Sequence, residues 1–142
     1  MIVYLAAPID FDAGSQVTRT KNEIKKHFKA QDCTWVYDPA GAWSAPTDLM
    51  PDEFVHWSNL KVLEDADILI AVLLKDVFTI GTVIEIQHAV DSGIPVVVIG
   101  DVGVNSVALA ALEVQTYESI KEWSDYGSPI VPRSDANWTC AD

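Results

Sequence analysis

Glu85 is the side chain whose type and position in this sequence best suit a catalytic role. It stands four residues after Gly81 in the stretch FTIGTVIEIQHA, residues 78–89, which follows an apolar run at residues 67–74. Such a run is typical of a strand buried on both faces of a parallel sheet, and the glycine and Thr82 then predict a sharp turn and a capped helix. A carboxylate just inside that helix would be kept ionised, as a buried nucleophile requires. The alternative is an ordinary solvated helix glutamate.

The predicted helix has two distinguishable faces. One face carries branched apolar residues and is expected to pack on the sheet: Val83, Ile86 and Val90. The other face carries small residues beside Glu85: Gly81, Thr82 and Ala89. Glu85 is therefore an acid among small side chains, and small side chains leave room for a ligand.

Four segments of the sequence occur in the order and spacing found in one known protein family. The motif Gly-Thr-x-x-Glu-Ile-x-x-Ala follows an Ala-Asp-Ile-Leu-Ile-Ala strand, and MIVYLAAP opens the chain at residues 1–8. WSNLKVLEDAD at residues 57–67 has a helix-into-strand rhythm, and GIPVVVI at residues 93–99 precedes Asn105. Over roughly residues 1–112 the sequence resembles the nucleoside 2-deoxyribosyltransferase family.

This resemblance implies cleavage of an N-glycosidic bond through a covalent glycosyl ester on Glu85. Tyr4 resembles the family tyrosine that hydrogen-bonds the nucleophile and holds its orientation. The resemblance and the loops at the strand ends together give a set of expected substrate contacts: Ala6, Asp10, Trp43, Thr79, Gly81, Asn105 and Ser106. No metal or organic cofactor is implied, because carboxylate catalysis at the sugar carbon needs neither.

Two of these contacts have equally good structural interpretations. Trp43 lies in a turn-rich segment, residues 38–46, which is expected to form a loop, and the indole either covers a base or anchors that loop. Asp10 follows the first strand and either receives a sugar hydroxyl or solvates its own loop.

Two positions depart from the family pattern. Thr79 stands six residues before Glu85, where the family usually has an acid near the 5′ side of the sugar. A hydroxyl there would tolerate a 5′-phosphate, as in the related nucleoside 5′-monophosphate N-glycosidases. Asn59 stands where the family keeps an aspartate that protonates the leaving base, and an amide donates hydrogen bonds but no proton. Either His56, one helical turn earlier, supplies the acid, or a pyrimidine is activated at O2 by hydrogen bonding alone.

These departures leave three functions open. A second base attacking the ester makes the protein a transferase, and the alternative is a 5′-monophosphate N-glycosidase in which water attacks. The third possibility is a nucleotide-binding module without turnover. The resemblance also implies a homo-oligomer, a dimer or higher, with Asn105 or the tail completing a neighbour's active site.

The pattern of elements predicts an α/β fold: a flavodoxin-like, Rossmann-like three-layer sandwich with a five-stranded parallel sheet. Strands are predicted at residues 2–6, 34–37, 68–74, 96–99 and 114–117. Helices are predicted at residues 15–29, 51–64, 81–92, 106–112 and 119–123. Residues 1–126 form the single expected domain, with residues 127–142 as an extended tail of the same domain.

Charge and composition limit the classes of molecule that this chain is expected to bind. The 142 residues carry a formal charge of −12, which argues against nucleic-acid polymers and leaves a small nucleoside or nucleotide and a nucleobase. No basic leader or long apolar segment is present, so we expect no membrane association. Cys33 and Cys140 do not make a disulfide framework or a zinc site. A cytoplasmic enzyme is the expectation.

Overall fold

A parallel sheet forms the centre of the molecule. The computed structural model describes residues 1–8, 14–31, 34–42, 51–77, 79–102 and 106–130. Within these ranges five strands pair in parallel in the order β2-β1-β3-β4-β5: β1 (Ile2–Ala6), β2 (Trp35–Tyr37), β3 (Ile68–Val72), β4 (Val96–Ile99) and β5 (Gln115–Tyr117). This is the flavodoxin-like order, so the predicted fold class is confirmed.

Helices cover both faces of the sheet. In the described ranges they are α1 (Gly14–Lys29), α2 (Pro39–Ala42), α3 (Asp52–Glu64), α4 (Gly81–Asp91), α5 (Val107–Ala111) and α6 (Ile120–Tyr126). Apolar residues of α1 and α6 pack with Val3 and Leu5 on one face. Residues of α3, α4 and α5 pack with Tyr4 and Ala6 on the other, because successive strand residues point to opposite faces.

The first and third strands are fixed to each other at their start. The Ile2 N–H donates to Asp67 Oδ2 over 2.7 Å, and the Asp67 N–H donates to the Ile2 carbonyl over 2.9 Å. Asp67 is buried. It therefore holds the register of these two strands, and its role is structural.

The end of α4 is defined by a glycine. Gly93 has φ +70°, its N–H donates to the Val90 carbonyl, and the next N–H, of Ile94, donates to the Ala89 carbonyl. This pair of bonds is the Schellman motif, and the left-handed backbone it needs is adopted most readily by glycine. The chain thus leaves α4 abruptly and enters β4.

Part of the predicted loop at residues 38–46 is wrong, because residues 39–42 form the short helix α2. Pro39 is its first residue, where a missing N–H costs nothing, and Asp38 Oδ1 accepts from the Ala40 N–H over 3.2 Å. A capping aspartate followed by proline is a helix-start signal that the abundance of turn residues concealed.

The remaining boundaries differ by a few residues. β3 ends at Val72 instead of residue 74, and α6 continues to Tyr126 instead of residue 123. Residues 127–130 lie in neither helix nor strand, whereas the rest of the predicted tail lies outside the described residues. None of the helices in the described ranges combines the length and apolar character needed to span a bilayer.

Candidate active site

Glu85 and Tyr4 form the centre of the candidate site. The Tyr4 hydroxyl donates to Glu85 Oε1 over 2.7 Å, across 81 residues of sequence. Tyr4 is fully buried and Glu85 is 8% exposed. Tyr4 lies in the middle of β1, at the strand pair β1–β3 where ligands of such sheets bind, and α4 brings the carboxylate over it.

The environment of Tyr4 keeps its phenol neutral. Burial raises the pKa of Tyr4 far above its ordinary value, and the adjacent Glu85 carboxylate raises it further. A neutral phenol can donate its proton in a hydrogen bond at any working pH. Tyr4 is therefore a permanent hydrogen-bond donor to the Glu85 carboxylate.

The buried face of α4 is only partly the predicted one: Ile86 is buried and Val90 packs against the same core, as expected. The side chains that face inward are Thr82, Glu85, Ile86 and Ala89. Val83 is 53% exposed, so its predicted packing on the sheet is wrong. Small residues let α4 approach the sheet closely, and Ala89 packs in the core there. The face that contains Glu85 is therefore the sheet-facing side of the helix, where Tyr4 meets the carboxylate.

Thr79, and not Thr82, supplies the side-chain acceptor at the start of α4, whose N-cap residue is Ile80. Thr79 Oγ1 accepts from the Thr82 N–H at 3.3 Å, and the Thr79 hydroxyl donates to Thr82 Oγ1 over 2.9 Å. The expectation that Thr82 would cap the helix is wrong, because the side-chain acceptor stands three residues before the N–H that it satisfies. Gly81 is the first residue of α4. The residue expected near the sugar's 5′ side thus also sets where the helix of Glu85 begins.

A second tyrosine, which the sequence analysis missed, connects Tyr4 with Asn59. Tyr37 ends β2 and pairs in register with Tyr4, and their ring centroids are 5.4 Å apart. The Tyr37 hydroxyl donates to Asn59 Oδ1 over 3.0 Å. Asn59 lies on α3 and is buried. Aligning the strands in register would have revealed Tyr37, because it falls directly beside Tyr4.

A pair of lysines holds an acid next to this group. Lys21 and Lys25 of α1 reach Asp38 Oδ2 at 2.8 and 2.5 Å. Burial alone would raise the pKa of Asp38, but the hydrogen bonds and charges of the two lysines outweigh burial and hold the pKa below its usual value. Asp38 follows Tyr37 directly, so this ion pair fixes the end of β2 against α1.

Of the other predicted substrate contacts, two lie in described residues and three do not. Ala6 is buried at the carboxyl end of β1, and Ser106 caps α5, since its side chain accepts from the Leu109 N–H at 3.3 Å. Asp10, Trp43 and Asn105 lie outside the described residues, as do Cys33 and Cys140.

In the part of the chain that the structure describes, neither His56 nor a metal-binding cluster forms a second candidate site. His56 is half-buried on α3, with its ring 5.4 Å from that of Trp57. Within the described ranges, no three His, Cys, Asp or Glu side chains are grouped to hold a metal ion. These residues form a buried carboxylate with a phenol donor, and Tyr37 connects that phenol ring to a buried amide on the neighbouring helix.

The family model for nucleoside 2-deoxyribosyltransferase matches residues 3–113. The chain belongs to that family. The match begins in β1 and continues beyond α5, so it contains Tyr4, Tyr37, Asn59 and Glu85. Members of this family act on nucleosides or nucleotides and on nucleobases. A search of curated proteins gave no significant match.

Solved structures share the fold of this deoxyribosyltransferase-family chain. A 2-deoxyribosyltransferase from Bacillus psychrosaccharolyticus is similar with a TM-score of 0.73 at 18% identity, covering 94% of this chain and 99% of the other. A conserved protein from Enterococcus faecalis V583 has a TM-score of 0.68 at 16% identity and 87% and 94% coverage. A CMP N-glycosidase from Clostridium botulinum has a TM-score of 0.58 at 16% identity and 88% and 95% coverage.

Proposed function

We propose that this protein cleaves the N-glycosidic bond of a (deoxy)nucleoside through a covalent glycosyl ester on Glu85 and transfers the sugar to another nucleobase. The observation that carries the proposal is the buried Glu85 carboxylate, which accepts a hydrogen bond from the neutral phenol of Tyr4. An oriented carboxylate beneath an anomeric carbon stabilises an oxocarbenium-like transition state and then captures the sugar.

Two displacements complete the reaction. In the first, the bond between C1′ and the base nitrogen breaks, its electron pair leaves with the base, and a Glu85 oxygen bonds to C1′. In the second, a nitrogen of the incoming base bonds to C1′, the ester bond breaks, and the carboxylate is restored. The incoming base loses a proton to solvent. Tyr4 donates to Glu85 in both states, first as a carboxylate and then as an ester, and holds the side chain in one orientation, so the same geometry serves both steps.

Asn59 is the proposed group on the leaving-base side. Its amide contributes a hydrogen bond to a carbonyl oxygen or ring nitrogen of the base, which stabilises the electron pair that the base carries away. Asn59 is buried on α3, the helix that packs beside the α4 helix of Glu85. In the proposed reaction the two residues lie on opposite sides of the bond that breaks.

Hydrolysis of a nucleoside 5′-monophosphate is the second candidate, supported by Thr79. A neutral side chain six residues before Glu85 does not repel a phosphate as a carboxylate would. The Thr79 hydroxyl is engaged with Thr82 at the start of α4, so its contribution is neutrality at this position. In this reaction water, and not a second base, attacks the glycosyl ester.

We also propose that the protein is a homo-oligomer that associates through an apolar patch on α3 and α4. The patch consists of side chains that are 41–63% exposed: Phe54, Trp57, Ile80, Val83 and Ile84. His88 Nε2 lies 3.3 Å from Glu64 Oε1 at the ends of the two helices, which therefore run side by side in the same direction. The patch residues lie in the first two turns of α3 and around the start of α4, near the carboxyl edge of the sheet, and exposed apolar surfaces of this kind mark interfaces.

Product analysis distinguishes the candidate activities. Purified protein would be incubated with deoxynucleosides and with their 5′-monophosphates, each with and without an isotopically labelled acceptor base. Label appearing in nucleoside is the expected result and shows transfer. Free base with sugar phosphate, unaffected by acceptor, shows the hydrolase instead. The absence of base release from every substrate refutes both and leaves a binding module.

A further inference from the structure

We propose that Tyr37 is a positioning residue that holds the Asn59 amide with its oxygen toward Tyr37, so that Nδ2 is the atom that donates to the leaving base. This inference rests on the proposed function of the site. It assigns a role to a tyrosine outside the family motifs, and it specifies which atoms a substrate base must present.

The hydrogen bond between the two side chains determines the orientation of the amide. The Tyr37 hydroxyl donates to Asn59 Oδ1 over 3.0 Å. A carboxamide has one accepting oxygen and one donating nitrogen, and here the oxygen is the atom that faces the Tyr37 hydroxyl and accepts its proton. With Oδ1 receiving the Tyr37 hydroxyl, Nδ2 is directed away from Tyr37 as a hydrogen-bond donor.

The position of Tyr37 is itself fixed by its neighbours. It ends β2 in register with Tyr4, and its ring lies 5.4 Å from the Tyr4 ring and 5.8 Å from the Trp35 ring. Packed rings in adjacent strands have little freedom to rotate. Tyr4 therefore holds the nucleophile and Tyr37 holds the leaving-group side, and the two tyrosines pack against each other.

A defined substrate class follows from this orientation. A donating Nδ2 requires a base with an acceptor at that point, such as a pyrimidine carbonyl oxygen or a purine ring nitrogen. Because an amide supplies no proton, the base leaves with the electron pair of the broken bond and takes its proton from water afterwards. Bases that are better anions should therefore depend less on Tyr37.

The kinetic test compares two pyrimidine nucleosides in four proteins. Cleavage of 2′-deoxyuridine and of 5-fluoro-2′-deoxyuridine, whose base is the better leaving anion, is measured in wild type, Tyr37→Phe, Asn59→Ala and the double variant. Tyr37→Phe keeps the packed ring and removes the hydroxyl. We expect about a tenfold loss of kcat for deoxyuridine, a smaller loss for the fluoro substrate, and no further loss when Tyr37→Phe is added to Asn59→Ala.

Tyr117→Phe is the matched control. Tyr117 also ends an edge strand, β5, and its hydroxyl donates to Gln115 Oε1 at 3.3 Å. This variant should leave kcat for both substrates unchanged. Equal losses on both substrates in Tyr37→Phe, or an additive loss in the double variant, would overturn the proposal, because a general structural defect does not depend on the leaving base.

A second readout is independent of turnover. In protein labelled with 15N-asparagine, the side-chain amide pair of Asn59 is assigned by its absence from Asn59→Ala. It should shift in Tyr37→Phe and stay in place in Tyr117→Phe. Wild type that cleaves no nucleoside, combined with this shift, refutes the proposed function and retains the positioning by Tyr37. An unchanged Asn59 pair in Tyr37→Phe refutes the positioning whatever the activity.

Discussion

At the scale of single residues, the candidate site depends on side chains that satisfy each other across the sheet. Glu85 would be costly to bury alone, but it accepts a hydrogen bond from Tyr4, whose pKa is raised first by burial and then by that carboxylate. The phenol stays neutral and the acid accepts. Because burial raises the pKa of Tyr4, the free energy of unfolding depends on the protonation of this residue.

Tyr4→Phe should change how stability depends on pH. The folded protein holds the Tyr4 proton above about pH 10, where an unfolded tyrosine loses it, so the unfolded state then binds fewer protons. The free energy of unfolding should therefore fall by up to about 1.4 kcal/mol per pH unit from Tyr4 alone as pH rises above 10, and this contribution is fully present below that pH. Tyr4→Phe should remove this part of the slope.

Urea unfolding at pH 9, 10 and 11 measures the effect. Tyr126→Phe, which removes a phenol that is 80% exposed, is the control. Identical slopes for wild type and Tyr4→Phe would mean that the Tyr4 phenol is not held as the structure describes.

Asn59→Asp should raise kcat/KM for purine nucleosides. An acid at this position can protonate N7 or N3 of the leaving purine, which the amide cannot do, and general acid catalysis commonly contributes about 100-fold or more. The gain should be largest at low pH, where the new acid is protonated. Steady-state kinetics across several purines would show it, and the absence of a gain for all of them would place Asn59 away from the leaving base.

At the scale of helices and strands, the start of α4 determines where Glu85 stands. The Thr79 side chain satisfies one N–H of the first turn, and Gly93 ends the helix after Asp91. A helix with both ends fixed cannot shift along the sheet, so the position of Glu85 over Tyr4 is set by contacts at residues that do no chemistry.

Thr79→Ala should therefore destabilise the protein by about 1 kcal/mol, the usual effect of losing a side-chain acceptor at a helix start. Thr79→Ser keeps the hydroxyl and should retain most of the stability. Thermal unfolding of the two variants compares them directly. Equal destabilisation by alanine and serine would assign the effect to the lost methyl group and not to the cap.

The elements show what sequence alone could predict. Strand order and helix positions followed from alternating apolar runs, and Glu85 and Tyr4 followed from motif resemblance. The exposure of Val83 and the burial of Ala89 did not follow, because periodicity favours Val83 for the core, whereas close packing against the sheet selects Ala89. Tyr37 was missed because its role arises from strand register, a contact between distant segments that no local pattern contains.

At the scale of the whole molecule, net charge and exposed apolar surface have opposite effects on self-association. A formal charge of −12 favours separate, soluble chains, whereas the α3–α4 patch favours association. The patch lies at the end of the sheet where the candidate site is found. Association there would cover apolar surface and add a neighbour close to the substrate.

Trp57→Glu should weaken the proposed self-association, because it introduces a charge at the most exposed large residue of the patch. Light scattering should show a smaller average mass than wild type. Val107→Glu, at an exposed apolar residue of α5 outside the patch, is the control and should keep the wild-type mass. A wild-type protein that is fully active as a monomer would contradict the proposed oligomer.

Intact mass measurement of acid-quenched reactions tests the central claim most directly. Protein mixed briefly with a deoxynucleoside, without acceptor base, is quenched, weighed and digested. We expect a mass increase of one deoxyribosyl group, located on the peptide that contains Glu85 and absent from Glu85→Gln. Base release by wild type with no such adduct, or release by a folded Glu85→Gln variant, would contradict a covalent intermediate on Glu85.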